Sequence, residues 1–344
     1  MAIVRPIAVV AVTVVPGCRP TTLALLPLSA DRYQTHALHA VERSWTETNC
    51  YVDVWIEVLH ALGLDPLAAG AFTLSADFEG DQWSFIKFPP EDLRAVFGIE
   101  VSELNVWKPV VDHVAEQLEL GRLCTVEVDS WFLPDTRGVS YQTAHVKSTV
   151  VPQMLDRADR RLGYFHNAGY YELEGDDFDG AFRLGAHGDG PDLPPYVELI
   201  RLERVRRDDP GLVARAVGLT REHLARRPTD NPVTRMGDRL AHDLPWLADQ
   251  DLETFHRYSF GTCRQCGATA ELASSFVEWL NRFDRSGTEA AAGSLQDLAA
   301  GAKALQFALA RVVRGRKVDL MELLGRMERN WADAMSVLDS HYGH

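Results

Sequence analysis

Nucleophilic catalysis through a covalent intermediate needs a nucleophile and a base, and Cys50 and His145 supply the two residue types. A thiolate attacks a carbonyl carbon, and an imidazole takes the thiol proton and returns it to the leaving group. The surroundings of the cysteine predict a helix. Val52, Ile56, Leu59 and Leu62 recur at helical steps, Asn49 can cap the first turn, and Gly63 followed by Asp65-Pro66 stops it. Cys50 then takes the first helical position, where the positive end of the helix dipole favours a thiolate and free backbone N–H groups can hold an oxyanion. A free cysteine is more often a small apolar core residue, so position alone does not assign it a role.

Further elements must bring a base and its orienting group to the same chemistry. Leu123 to Val128 reads as a buried strand entering a turn at Asp129, and the polar loop Asp135 to Thr143 leads to a β-branched strand opened by His145. Asp156 to Arg161 makes a charged turn, and Leu162 to Phe165 returns as a strand ending in His166-Asn167. The order Cys50, His145, Asn167 suits nucleophile, base and the side chain that orients the base; His166 and Asp129 are the other candidates for that third role.

Substrate contacts are expected from Asp129 at the strand end, from Trp45 and Asn49 beside the thiol, and from Asp77 and Gln82 in the acidic turn Asp77 to Trp83. That turn suits an amine, or is simply solvated. No metal is expected. Cys263-Arg-Gln-Cys266 is half a zinc site without a second pair, and His36 and His39 lack an accompanying carboxylate motif. Two arginine clusters, Arg157 with Arg160 and Arg161, and Arg201 with Arg204, Arg206 and Arg207, suit an acidic protein partner or are ordinary solvated charge.

The 344 residues exceed one ordinary core, and the pattern divides them. Residues 1–175 read as an α+β domain, 176–195 as a Gly-, Asp- and Pro-rich linker, and 196–344 as a helical domain, the strand signals ending near Pro195. Helices are expected over Pro210–Arg226, Asn231–Leu247, Asp251–Arg257, Cys263–Phe283, Ser294–Arg314 and Val318–Ser340. The stripe Leu320, Leu323, Leu324, Met327, Trp331, Met335 and Leu338 reads as core. A net charge of -14 argues against a broad basic surface for nucleic acid or anionic membrane. Five irregularly spaced cysteines suit a reducing, cytoplasmic compartment. The apolar start is broken by Pro6, Pro16 and Pro20, which suits a buried strand over Ile7–Val15 better than a membrane anchor.

Over roughly Tyr33 to Leu173 the chain resembles a bacterial family carrying the motif Asn-Cys-Tyr-x-Asp-x-Trp-Ile-Glu, here Asn49 to Glu57. More distantly it is similar to the N-terminal domain of the butirosin-biosynthesis acyltransferase and to bacteriocin-processing cysteine peptidases. The resemblance rests on the cysteine opening a helix, the strand Gly121 to Pro134, and the histidine opening the next strand. It implies a papain-like fold with Cys50 as nucleophile and His145 as base. It also implies an acyltransferase that takes an acyl or aminoacyl group from a carrier-protein thioester, whose thiol is a phosphopantetheine, to a small amine, with no cofactor of its own. The alternatives are a cysteine peptidase or amidase, or a binding protein that kept the fold without the chemistry. The glutamine that papain-like enzymes carry six residues before the cysteine is replaced here by Ser44, which leaves the oxyanion donor open.

Overall fold

The computed structural model describes residues 22–187, 193–285, 287–316 and 318–343. The expected strand Ile7–Val15 and Cys18 lie outside the described residues. The chain forms two compact units, each drawn from several segments. The first takes residues up to His36, Asp53–Leu64 and Leu93–Arg207; the second takes Ala37–Val52, Asp65–Asp92 and the chain from Asp208 on.

The first unit is built on one antiparallel sheet. Its strands are β1 (Thr22–Ala24), β2 (Glu100–Glu103), β3 (Leu123–Asp129), β4 (Lys147–Asp156), β5 (Arg161–His166), β6 (Gly169–Glu174) and β7 (Val197–Arg201), in the order β2-β7-β3-β4-β5-β6. Strand β4 is long enough to hold β3 along its first half, Val126 facing Val150, and β1 along its last, Thr22 facing Asp156. Its run Thr149-Val150-Val151 is buried, as β-branched residues in a covered central strand should be. Helix α3 (Val110–Glu119) packs on β1, β3 and β4 through Val110, Val111, Val114 and Leu118, which recur at three- and four-residue steps. Helix α4 (Asp176–Ala181) lies within the stretch expected as linker and packs on β3 and β6. Gly180 lets it approach, because a Cβ there would stand 2.1 Å from the Phe132 ring.

The strand reading needs one correction. Strands do not end near Pro195, since β7 follows it and sits between β2 and β3. The run Val-Glu-Leu-Ile-Arg is short and flanked by charge, so its period-two pattern is weak, but Val197 and Ile200 are fully covered.

The second unit is mainly helical. It contains a 3₁₀ run (Pro66–Ser75), α5 (Leu212–Arg226), α6 (Pro232–Leu247), α7 (Leu252–Ser259), α8 (Gln265–Asp284), α9 (Glu289–Val313) and α10 (Met321–Tyr342). Its core gathers Phe78, Trp83, Met236, Leu240, Leu298, Leu305 and Met327 with Trp45. On α10, Leu324, Met327, Met335 and Leu338 are buried. A π-turn over Phe260–Arg264 joins α7 to α8 without a break. It inserts a residue into the helical register, and the Gly261 carbonyl accepts the Trp83 N–H at 2.8 Å. The protein is thus a mixed α and β chain, an antiparallel sheet with a C-terminal helical region. Among the described residues no helix is long and apolar enough to cross a membrane.

Candidate thiol and imidazole sites

Helix α1 (Cys50–Ala61) starts at the cysteine. The Asn49 side-chain oxygen accepts the N–H groups of Tyr51 at 3.1 Å and Val52 at 3.0 Å, and its amide donates to the Ile86 carbonyl at 3.0 Å. Asn49 is therefore a buried cap, and Cys50 itself is half-buried. The expected apolar stripe understates α1, because Tyr51 through Leu59 are buried on every face, including Asp53 and Glu57. Glu57 is satisfied by the Tyr33 hydroxyl at 2.6 Å and the His36 N–H at 3.0 Å. Burial, followed by the Glu57 charge, pushes the Tyr33 phenol well above its ordinary value. The motif Asn49 to Glu57 thus places a cap at one end and a buried polar anchor at the other.

His145 lies two residues before β4 at the end of the loop from β3. Its Nδ1 stands 2.6 Å from Asp129 Oδ2, while Asp129 Oδ1 accepts the Trp131 N–H at 3.0 Å. The Trp131 ring stacks on the imidazole with centroids 4.4 Å apart and planes 9° from parallel. One carboxylate at its edge and one indole on its face fix the ring. With Nδ1–H donating to Asp129, a neutral ring presents Nε2 as its lone-pair nitrogen, on a side chain that is 68% exposed. An imidazole held in this way is able to take a proton at Nε2 while the carboxylate keeps its orientation.

Asp129 thus occupies the orienting position. Asn167 sits in the turn between β5 and β6 at φ 43°, a left-handed conformation that asparagine tolerates. His166 is buried and fully engaged, with Nδ1 2.6 Å from Asp135 Oδ2 and Nε2 2.6 Å from Ser148 Oγ. The other Asp135 oxygen accepts the Tyr164 hydroxyl, whose phenol is pushed far up by burial and then by that carboxylate. This network ties the loop that bears Trp131 to β4 and β5. Nothing in the local sequence announced it, because its members lie 18 to 31 residues apart.

The remaining candidates for substrate contact have structural partners. Trp45 is buried, its indole N–H donating to the Ala299 carbonyl at 3.1 Å and its ring under the Lys303 ammonium at 3.9 Å. Asp77 pairs with Arg235 and accepts the Phe78 N–H at 2.6 Å. Gln82 is exposed on the turn, whose Phe78 and Trp83 rings enter the core. A serine–histidine–aspartate set unnoticed in the sequence joins Ser75, His223 and Asp92, with Oγ to Nδ1 at 2.7 Å and Nε2 to Oδ2 at 2.8 Å. The Ser75 hydroxyl also donates to the Phe72 carbonyl at 3.1 Å, and His223 and Asp92 are buried, so the set ties α5 to the 3₁₀ run.

Cys263 and Cys266 are both buried, which pushes the first thiol up to about 12 and the second well above its ordinary value, the reverse of a reactive pair. Among the described residues no group of three or more His, Cys, Asp or Glu is placed to hold a metal ion.

Comparison with curated proteins finds no match. Two family descriptions cover most of the chain: the DUF1839 N-terminal domain matches residues 34–202, which hold Cys50, Asp129 and His145, and the DUF1839 C-terminal domain matches residues 210–340. The chain belongs to the DUF1839 family.

Proposed function

We propose that the protein is a cysteine-dependent acyltransferase on a papain-like fold. The observation that carries the reading is the 2.6 Å Asp129–His145 pair stacked on Trp131, an imidazole held as a base is held. The capped start of α1 supplies a matching nucleophile, a half-buried thiol at the first helical position. In the proposed reaction the His145 Nε2 takes the Cys50 proton and the sulfur attacks a thioester carbonyl. The donor thiol then leaves with a proton from the imidazolium, and an amine resolves the acyl-Cys50 while passing its own proton to His145. The donor suited to this step is a carrier-protein phosphopantetheine thioester, and the acceptor is a small amine. With an amide in place of the thioester donor and water in place of the amine, the same steps would make the site a cysteine peptidase or amidase.

The test is alkylation of Cys50 in the native protein, followed by peptide-resolved mass spectrometry from pH 5 to 9. Cys50 is expected to be alkylated faster than the buried Cys124, Cys263 and Cys266. His145→Ala is expected to lose most of that reactivity and Asp129→Asn a large part. Equal rates in wild type and His145→Ala would overturn the proposal.

A further inference from the structure

The seven residues before Cys50 belong to the same unit as the C-terminal helices. Glu271 of α8 is a buried carboxylate whose two oxygens accept the backbone N–H groups of Ser44 at 3.0 Å and Trp45 at 2.8 Å, with the Arg43 guanidinium 3.6 Å away. Seven residues earlier, two turns along the same face, Arg264 reaches the carbonyl of Glu47 at 3.4 Å and its carboxylate at 3.3 Å. Next to it Gln265, also buried, donates to the Thr48 carbonyl at 3.3 Å and lies 3.5 Å from the Asn49 amide. Arg264 closes the π-turn and Gln265 opens α8, so the inserted residue sets the rotation at which this face meets the segment.

Burying a carboxylate is costly unless every lone pair is used, and Glu271 spends its pair on two peptide groups of one short segment. Gln265 meets the two residues that immediately precede the thiol, one of which caps its helix. A general packing role would not require polar side chains aimed at consecutive backbone groups.

We infer that Gln265 and Glu271 are positioning residues for Cys50. Acting through residues 43–49, they fix the direction in which α1 begins and so the place of its first side chain. The C-terminal domain is then part of the thiol site. This rests on the reading of Cys50 as the nucleophile, yet its test reads the thiol directly.

The experiment uses the full chain and measures the rate of Cys50 alkylation against pH, with thermal unfolding alongside. Gln265→Met keeps size and helix preference but removes both amide contacts. It is expected to change the Cys50 rate at pH 7 at least threefold and to alter the shape of the profile. Thr269→Val, a buried change on the same helix, is expected to leave the profile as in wild type. Glu271→Gln, which replaces one acceptor oxygen by a donor group, is expected to act in the same direction as Gln265→Met and carries the test if Gln265→Met does not fold. A wild-type profile in a folded Gln265→Met or Glu271→Gln overturns the inference, whatever value wild type itself shows. Failure of the proposed function is read separately, from equal rates in wild type and His145→Ala.

Discussion

Replacing Gly267 by alanine tests the fit between α8 and the segment before the thiol. A Cβ at this position would stand 2.4 Å from Trp45 Nε1 and Cε2, inside any real contact. The indole has little room to yield, because its N–H is bonded to Ala299 and its face lies under Lys303. Forcing an extra methyl into such packing costs about 1–3 kcal/mol. Loss of the indole hydrogen bond adds about 1 kcal/mol. Against this, alanine is favoured over glycine inside a helix by about 1 kcal/mol. The steric terms outweigh the propensity, and the expected net loss is about 1–3 kcal/mol in urea unfolding of the full chain. The same substitution in a Trp45→Leu background should cost at least about 1 kcal/mol less, since the two positions are coupled by contact. A Gly267→Ala protein as stable as wild type or more so, or one whose cost is the same with and without Trp45, would refute the reasoning.

Two further expectations concern the sheet unit. Burial pushes the Asp156 carboxyl up, but hydrogen bonds from the Thr22 hydroxyl and the Asp159 and Ala158 N–H groups hold it below its ordinary value. Its stabilisation is therefore full above the unfolded value of about 3.9 and is lost as pH falls through the lower folded value. Asp156→Asn should be less stable than wild type at pH 7, with the difference closing toward pH 2; urea midpoints that stay equally far apart at pH 7, 4 and 2 would contradict this. Tyr164→Phe leaves one oxygen of a buried carboxylate without its donor and should cost about 1.5–3 kcal/mol, with hydrogen exchange rising in the loop 130–146. A loss under about 0.5 kcal/mol, or exchange unchanged in that loop, would remove the Asp135 network as the anchor of the His145 loop.

Local features were legible in the sequence, and long-range pairings were not. The cap at Asn49, the helix from Cys50 and the six C-terminal helices follow from capping chemistry and periodicity, both carried by neighbouring residues. Strand β7 was missed because five residues with two charges carry little alternation, and its place between β2 and β3 depends on partners far along the chain. The burial of Glu57 left no mark in the sequence, since a buried carboxylate is betrayed only by its partner, here the distant Tyr33. Asp129 was one of three candidates to orient His145, and the choice depends on how the loop between them, which separates the two by sixteen positions, folds back. Glu271 and Ser44, 227 residues apart, leave no periodic trace at all.

The same separation bears on how the protein is made. Synthesis proceeds at about 5–20 residues per second, so on the order of ten to fifty seconds pass between the emergence of Ser44 and that of Glu271. During that interval the stretch leading to the thiol lacks the helix that accepts its amides. A nascent chain that has not yet emerged as far as Glu271 thus carries Cys50 without the helix that holds the residues before it.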